Sequence, residues 1–226
     1  MPALDLVPHG YRQPEIMRIS YLFDPLCGWC YGAGPVLEQI ARLDDTTLEL
    51  APTGLFAGPA ARRMDDHFAA YAWQNDQRIA RLTGQSFTEA YRNRILGNAG
   101  GMFDSAPATL GLVAVGLTEP ARELEALKLL QRARYVDGRD NSNLQVIANV
   151  LDEAQFADAA SRVRVPDDAL MTAYRNRIDV ARADMSRFAV DGLPALVVGD
   201  GAARRLLNSG LLFGRFELLA AQLRVA

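Results

Sequence analysis

The only two cysteines of this chain, Cys27 and Cys30, stand three positions apart in the segment Cys27-Gly28-Trp29-Cys30. On a helical turn, residues with this spacing lie side by side, with Cβ atoms roughly 5–6 Å apart. That separation is close to what a disulfide requires. Such a pair can form and break a disulfide without a large movement of the backbone. The spacing therefore predicts thiol–disulfide exchange.

The position of the pair along the chain predicts a different role for each sulfur. The cysteines follow an apolar run and precede a helix-like stretch, so Cys27 is expected at a helix N-terminus. Unpaired N–H groups and the positive end of the helix dipole favour an anion there. Because the thiolate is the attacking species, we predict that Cys27 is the more exposed nucleophile and Cys30 the resolving thiol. Gly28 and Trp29 add no charge, so backbone N–H groups must provide most of the stabilisation of the thiolate.

Two other interpretations of the cysteine pair stay open. A zinc site needs four ligands, and the chain adds only His9 and His67, neither at zinc-finger spacing. A pair of inert core cysteines is the second alternative, because unpaired cysteines are often buried. A CxxC motif at a strand–helix junction favours redox use over both. We therefore expect no bound metal and no organic cofactor.

The composition excludes several classes of partner. The chain has 226 residues, of which 50% are hydrophobic and 23% charged, and its formal net charge is −3. It is long enough for one domain with a large insertion, or for two domains. The charge offers no basic field to nucleic acid, and no segment has the length of a membrane span. No secretion signal is visible in residues 1–15, so a cytoplasmic location is predicted.

Hydrophobic periodicity predicts a β-α-β unit around the cysteines. Strands are expected over Ile16–Phe23 and Thr47–Ala51, and the first is rich in β-branched and aromatic residues. The helix between them has apolar residues at helical spacing, namely Val36, Leu37, Ile40 and Leu43. Such a unit predicts parallel strands. Residues 1–16 are expected to form an N-terminal extension outside the fold.

The middle of the chain, residues 59–187, is predicted to be entirely helical. Two capping boxes, Ser86-x-x-Glu89 and Ser142-x-x-Gln145, indicate helix starts. A loop is expected over Gly97–Phe103, and no strand is expected in this block. The last helix has one long apolar stripe, formed by Leu170, Tyr174, Ile178, Ala181, Met185 and Phe188.

The chain is predicted to return to β structure near its end. Ala195–Val198 and Arg204–Leu207 flank the turn Gly199-Asp200-Gly201, which indicates a β-hairpin. A final helix follows from the spacing of Leu212, Phe216, Leu219 and Leu223. The predicted fold class is therefore α/β, with the order β-α-β, helical block, β-β-α.

Several segments resemble a known family. Phe23-Asp24-Pro25-Leu26-Cys27-Gly28-Trp29-Cys30-Tyr31-Gly32 is similar to the active-site segment of the DsbA-like family, in the branch of predicted protein-disulfide isomerases. Pro35 matches a proline of the active-site helix in thioredoxin-like proteins. Gly192-Leu193-Pro194-Ala195 resembles the cis-proline loop, and Tyr135–Asp140 resembles a recurring segment of the inserted helical domain. The resemblance spans about residues 17–226.

The resemblance implies a thioredoxin fold with a large all-helical insertion. Residues 17–58 and 188–226 would form the thioredoxin-like domain, and residues 59–187 the insertion. It also implies a cis Leu193–Pro194 bond beside the dithiol, where an extended substrate backbone could pair with Leu193.

The expected site therefore consists of two catalytic cysteines and four substrate-binding residues. The cysteines are Cys27 and Cys30, and the substrate-binding residues are Gly28, Trp29, Leu193 and Pro194. Asp24 is interpreted as part of a strand-end turn and is left outside the catalytic set.

These observations lead to a thiol–disulfide oxidoreductase or isomerase as the first hypothesis. Its substrate would be a protein or peptide disulfide, and its thiol partner glutathione or a thioredoxin-type reductant. A monomer or weak dimer is expected. One alternative is a glutathione-linked transferase or isomerase, because kappa-type glutathione transferases and hydroxychromene-carboxylate isomerases resemble this architecture. They typically have a serine where this chain has Cys27. The other alternative is a client-binding module without catalysis.

Overall fold

The computed structural model describes residues 16–224, and the predicted N-terminal extension lies outside this range apart from Ile16. Strand β1 (Met17–Phe23) pairs in parallel with β2 (Thr46–Pro52), in a register that runs from Met17–Thr46 to Phe23–Pro52. The predicted parallel pair is therefore confirmed.

The helix expected between these strands is divided into α1 (Gly28–Gly32) and α2 (Gly34–Ile40) next to Pro35, which matches a proline that kinks the active-site helix in thioredoxin-like proteins. Pro35 lies in the first turn of α2 and has no N–H to donate to the carbonyl four residues earlier. That carbonyl belongs to Tyr31, and it accepts a hydrogen bond of 3.0 Å from the side-chain amide of Gln85 instead. The break is thus bridged by a residue from outside the β-α-β unit.

The main sheet has four strands in the order β2-β1-β5-β6. Strand β5 (Ala195–Val198) runs antiparallel to β1, and β6 (Arg205–Leu206) runs antiparallel to β5. The predicted hairpin is confirmed, although β6 is two residues long instead of four, and a 3₁₀ turn (Gly201–Ala203) lies in the connection. Helix α10 (Phe216–Leu223) follows.

The block between β2 and β5 is largely helical. Its helices are α3 (Asp66–Thr83), α4 (Glu89–Tyr91), α5 (Ala106–Thr118), α6 (Glu123–Tyr135), α7 (Leu144–Glu153), α8 (Ala157–Arg164) and α9 (Asp168–Arg187). One π-helical turn, Arg92–Leu96, continues α4. The expectation of no strand in this block is wrong. Strand β3 (Arg62–Arg63) pairs with β4 (Met102–Phe103), and β4 lies within the segment expected to be a loop. Two-residue strands are too short to produce a readable alternation.

Both predicted capping boxes are displaced along the chain. Thr88, not Ser86, caps α4 by accepting a hydrogen bond from the Tyr91 N–H, and Asn143, not Ser142, caps α7. Serine, threonine and asparagine are all good N-caps, so residue type alone does not choose among neighbours. Ser142 accepts a hydrogen bond from the Asp104 N–H, at 3.0 Å.

The alternation of β1 assigns its side chains to the two faces of the sheet. Ile19, Tyr21 and Phe23 belong to the large core shared with the helical block, whereas Leu22 packs in a smaller cluster on the other face. Helix α9 covers that second face with Ala181, and Met185 lies against the same cluster. The core on the first face joins sheet and helical block into one packed unit.

Gly138 offers a test of the packing around the end of α6. Its φ is +64°, and a Cβ at this position would lie 2.5 Å from the backbone oxygen of Ala90. We expect Gly138→Ala to lower the free energy of unfolding by at least ~2 kcal/mol, from left-handed strain plus overpacking. Gly100, with a φ of +80° and no atom within 4 Å of its Cβ position, is the control. Equal losses for both variants in chemical denaturation would contradict this explanation.

Candidate active site

Cys27 is the N-cap of α1, in extended conformation with φ −82° and ψ 118°. Its N–H donates to the Asp24 carbonyl at 3.1 Å, and its own carbonyl accepts from the Tyr31 N–H at 3.0 Å. Cys27 retains 9% exposure, whereas Cys30 has none. The predicted placement of the pair is therefore confirmed, with Cys27 at the helix N-terminus and more accessible than its partner.

Cys30 lies one turn deeper, against the core. Burial raises the pKa of the Cys30 thiol well above its usual value, and the adjacent Cys27 adds to the rise. The backbone here is fixed from the sheet, because the Tyr21 hydroxyl donates to the Cys30 carbonyl at 3.1 Å. The buried Cys30 thiol is less available as a nucleophile than the more accessible Cys27.

The loop before β5 lies directly beside Cys27. The Leu193–Pro194 peptide bond is cis, as predicted. The Cys27 thiol faces the Leu193 carbonyl, with 3.9 Å between Sγ and oxygen. Pro194 is buried and Leu193 is half-buried. Within residues 16–224 the Leu193 N–H has no hydrogen-bond partner. The fold thus places a backbone donor and a carbonyl next to Cys27, the more accessible of the two sulfurs.

The two residues between the cysteines face different surroundings. Trp29 is half-buried, packs edge-to-face on Phe213 with ring centroids 5.1 Å apart, and has the Arg78 guanidinium 5.6 Å from its ring. Gly28 instead packs on α3, where a Cβ would lie only 2.5 Å from Asp76 Oδ1. Of the pair, Trp29 has the side chain that can contact a ligand.

Asp24 is completely buried at the turn between β1 and α1. Its carboxylate accepts hydrogen bonds from the Leu26 N–H at 2.9 Å and the Phe56 N–H at 3.1 Å. It also accepts one from the Ser105 hydroxyl at 2.7 Å. Burial raises the pKa of Asp24, and these hydrogen bonds oppose the rise. Asp24 therefore fixes the turn, in agreement with its interpretation as a structural residue.

The helical block contributes a buried polar cluster of Asp76, Tyr91, Arg134 and Tyr135. The Tyr91 hydroxyl donates to Asp76 Oδ2 at 2.9 Å, and the Tyr135 hydroxyl donates to the Leu26 carbonyl at 2.7 Å. Arg134 is fully buried, and none of its guanidinium nitrogens has a hydrogen-bond partner in the described chain. The cluster connects α3, α4 and α6 to the segment that precedes the cysteines.

Comparison with known proteins gives the family. The sequence profile of the DSBA-like thioredoxin domain matches residues 18–223. The chain belongs to the DSBA-like thioredoxin domain family. No protein with a curated description matches the sequence significantly.

Several solved structures of DsbA-like proteins are similar to this chain. The cytosolic disulfide reductase DsbM from Pseudomonas aeruginosa is 28% identical, with a TM-score of 0.80 over 92% of this chain and 100% of DsbM. A second structure of DsbM, determined with glutathione, gives 27% identity and a TM-score of 0.79 over the same shares. A candidate protein disulfide isomerase from Nitrosomonas europaea is 25% identical, with a TM-score of 0.75 over 92% of this chain and 97% of its own.

The carboxylates of Asp24 and Asp76 both lie near the cysteine segment of this DsbA-like protein, and they differ in their surroundings. Among the described residues, Asp76 accepts a hydrogen bond only from Tyr91, whereas Asp24 accepts three. Burial raises the pKa of Asp76 to about 7, although the Tyr91 hydrogen bond and the charge of Arg134 oppose the rise. The Arg134 guanidinium lies 5.2 Å from the Phe103 ring centroid, and aromatic faces stabilise such a desolvated cation.

The sequence contained one signal for the buried cluster. Asp76 shares a face of α3 with Ala72 and Ile79, four residues before it and three after, and both pack on the core. A carboxylate in an apolar stripe is unusual because aspartate is rarely buried. Arg134 gave no comparable signal, and Tyr135 was noted only as the start of the segment Tyr135–Asp140, since their contacts depend on the packing of helices that are distant in sequence.

A cavity of about 620 Å³ adjoins the loop that precedes Leu193. It is lined by the segment after β2, by α9 and by the residues up to Asp191, and its members include Thr53, Leu55, Arg182 and Val190. A larger cavity of about 860 Å³ lies along β2 and α9 but contains none of the six predicted site residues. The larger cavity is therefore not beside the two cysteines.

None of the helices described between residues 16 and 224 combines the length and the apolar composition that a membrane-spanning helix needs.

The ionisation of Asp76 predicts a pH dependence of stability. A carboxyl group whose pKa is raised on folding contributes its full stabilisation at pH values below its pKa in the unfolded chain, which is near 4. That contribution is lost as pH rises through the pKa in the folded protein, about 7. We therefore compare the free energy of unfolding of Asp76→Asn with that of the native chain. This difference should be roughly 2–3 kcal/mol more favourable to the variant at pH 8 than at pH 5.

The measurement is urea denaturation of the reduced proteins at both pH values. Asp66→Asn is the control, because Asp66 is an exposed carboxylate on the same helix. A stability difference between Asp76→Asn and the native chain that is the same at pH 5 and pH 8 would show that the Asp76 carboxyl is not perturbed as described.

Proposed function

We propose that this protein catalyses thiol–disulfide exchange through the Cys27–Cys30 dithiol. The Cys27 thiolate attacks a substrate disulfide, forms a mixed disulfide and releases one substrate thiol. Cys30 then attacks Cys27 Sγ, and the second substrate thiol leaves. The observation that supports this most directly is the position of Cys27 Sγ, at the N-cap of α1 and 3.9 Å from the Leu193 carbonyl.

The surroundings of Cys27 support binding of an extended peptide. The Leu193 N–H has no partner in residues 16–224, so it is available to a substrate backbone beside the attacking sulfur. The half-buried ring of Trp29, which stands between the two cysteines in the chain, offers an apolar surface. The cavity beside Val190 and Asp191 offers space for a side chain that precedes or follows the substrate cystine. Gly28 and Pro194 complete this proposed site, because neither adds a long side chain beside the sulfur.

Net reduction is the proposed direction of electron flow, and glutathione is the proposed thiol partner. The similar Pseudomonas protein is described as a cytosolic disulfide reductase, and one of its structures was determined with glutathione. By extension we propose a cytoplasmic location and disulfide-bonded peptides or proteins as substrates for this chain. In the reductive cycle, two glutathione thiols would reduce the Cys27–Cys30 disulfide and form glutathione disulfide.

Substitution of each cysteine tests the proposed roles separately. Cys27→Ser should reduce disulfide reduction to the uncatalysed rate, because no other described thiol is accessible. Cys30→Ser should accumulate a Cys27–glutathione mixed disulfide, since the resolving step is lost. Turnover of a peptide disulfide with glutathione and the intact mass of each variant are the two measurements.

The outcomes also separate the alternative functions. Full activity of Cys27→Ser would refute the dithiol mechanism. If Cys27→Ser accumulates a glutathione adduct on Cys30 and Cys30→Ser accumulates none, Cys30 is the attacking thiol and the two roles are reversed. A native protein that binds peptides but exchanges no disulfide would instead indicate a client-binding module. Glutathione conjugation that persists in Cys30→Ser would indicate a transferase-type reaction.

A further inference from the structure

A carboxylate from the helical block lies against the start of the redox helix. A Cβ on Gly28 would lie 2.5 Å from Asp76 Oδ1 and 3.3 Å from Ile79 Cδ1, so only glycine leaves room for Asp76 here. Backbone geometry then puts Asp76 Oδ1 within ~8 Å of the Cys27 Cα. Asp76 is 4% exposed, so little water screens its charge from the sulfur.

The groups around Asp76 leave this charge only partly compensated. Tyr91 from α4 donates the one hydrogen bond that Asp76 accepts within residues 16–224, and it uses Oδ2. Arg134 from α6 attracts the carboxylate without a hydrogen bond to it. Tyr135, also from α6, is a neutral phenol whose pKa burial raises well above its usual value. The α1 side adds Cys27, next to Gly28 in the chain, and Cys30, whose pKa is raised by burial and by the charges of Cys27 and Asp24.

We propose that the Asp76 carboxylate lowers the reduction potential of the Cys27–Cys30 pair, because its negative charge opposes that of the Cys27 thiolate and leaves the neutral disulfide unaffected. The proposal rests on the proposed function and deepens it, since it assigns the reducing character of the dithiol to one residue. Asp76 acts through Cys27 and does not contact substrate, so it is a positioning residue.

The charge matters in the step that reduces a substrate. The Cys27 thiolate and the Cys30 thiol give up two electrons and form the Cys27–Cys30 disulfide. The substrate S–S bond breaks, one product leaves as a thiolate, and the other leaves as a thiol with the proton of Cys30. The negative charge thus departs from the neighbourhood of Asp76, and the repulsion between the two anions is relieved by oxidation.

The effect must depend on pH in a defined direction. Since the pKa of Asp76 is raised to about 7, the carboxyl is neutral in mildly acidic solution and charged at pH 8. Its influence on the dithiol should therefore be small at pH 5.5 and full at pH 8. A role in packing alone would act equally at both pH values.

The experiment is redox equilibration of the native protein and of Asp76→Asn with glutathione buffers at pH 5.5 and pH 8. At pH 8, Asp76→Asn should favour the reduced form by about tenfold, or ~30 mV in potential, from one unit charge at this distance. At pH 5.5 the two proteins should agree within about twofold. Asp66→Asn, the exposed control on α3, should match the native protein throughout.

Tyr91→Phe provides a second variant that keeps the carboxylate. It removes the hydrogen bond that favours the ionised form of Asp76, so the onset of the effect should move to higher pH by on the order of one unit. Equal shifts for Asp76→Asn at both pH values, or no shift at pH 8, would overturn the proposal. A native protein that does not equilibrate with glutathione would refute the proposed function itself, and this inference with it.

Discussion

Asp24 brings a carboxylate into the interior where β1 turns towards α1, and the surrounding backbone pairs with both of its oxygens. A buried carboxyl group is costly unless it is hydrogen-bonded. Here the donors come from Leu26, Phe56 and Ser105, which belong to three different segments. Any shift of the turn would leave part of this set unpaired. The position of Cys27, three residues further on, is therefore specified by a buried interaction and not by the loop alone.

The helical block contacts the segment that holds the two cysteines. Tyr135 donates to the Leu26 carbonyl, and Gln85 donates to the Tyr31 carbonyl, so the block pairs with the backbone on both sides of the dithiol. Aromatic stacking reinforces this, since Tyr31 and Tyr135 have ring centroids 4.7 Å apart. The block therefore does more than cover the sheet, because it fixes the segment that contains the two cysteines.

This arrangement requires a charged side chain in the protein interior. Arg134 has no exposure and no hydrogen bond to its guanidinium in the described chain, so its charge is balanced at a distance by Asp76 and Asp24 and by aromatic faces. An unpaired charge in the interior would be strongly destabilising. The same charges that stabilise Arg134 also lie near the sulfur chemistry. The buried charges that the fold must accommodate therefore lie close to the two cysteines.

Residues whose pattern is local were predictable, and residues whose partners are distant were not. The apolar run of β1 and the turn residues near Gly199 specified the strands, because alternation and turn chemistry are read within a few positions. The caps at Thr88 and Asn143 were misplaced by one or two residues, since several neighbours could accept the same hydrogen bond. The pair β3–β4 was missed because strands of two residues carry almost no pattern.

By itself, the sequence determined the dithiol, its place at a helix N-terminus and, through family resemblance, the fold and the cis bond at Pro194. Only the tertiary structure decided that Asp76 packs on Gly28 and that Tyr135 pairs with Leu26. The physical reason is the separation in sequence between the residues that interact. Spacing along a helix or strand follows from the backbone, whereas the environment of a buried charge depends on which distant side chains the packing brings to it.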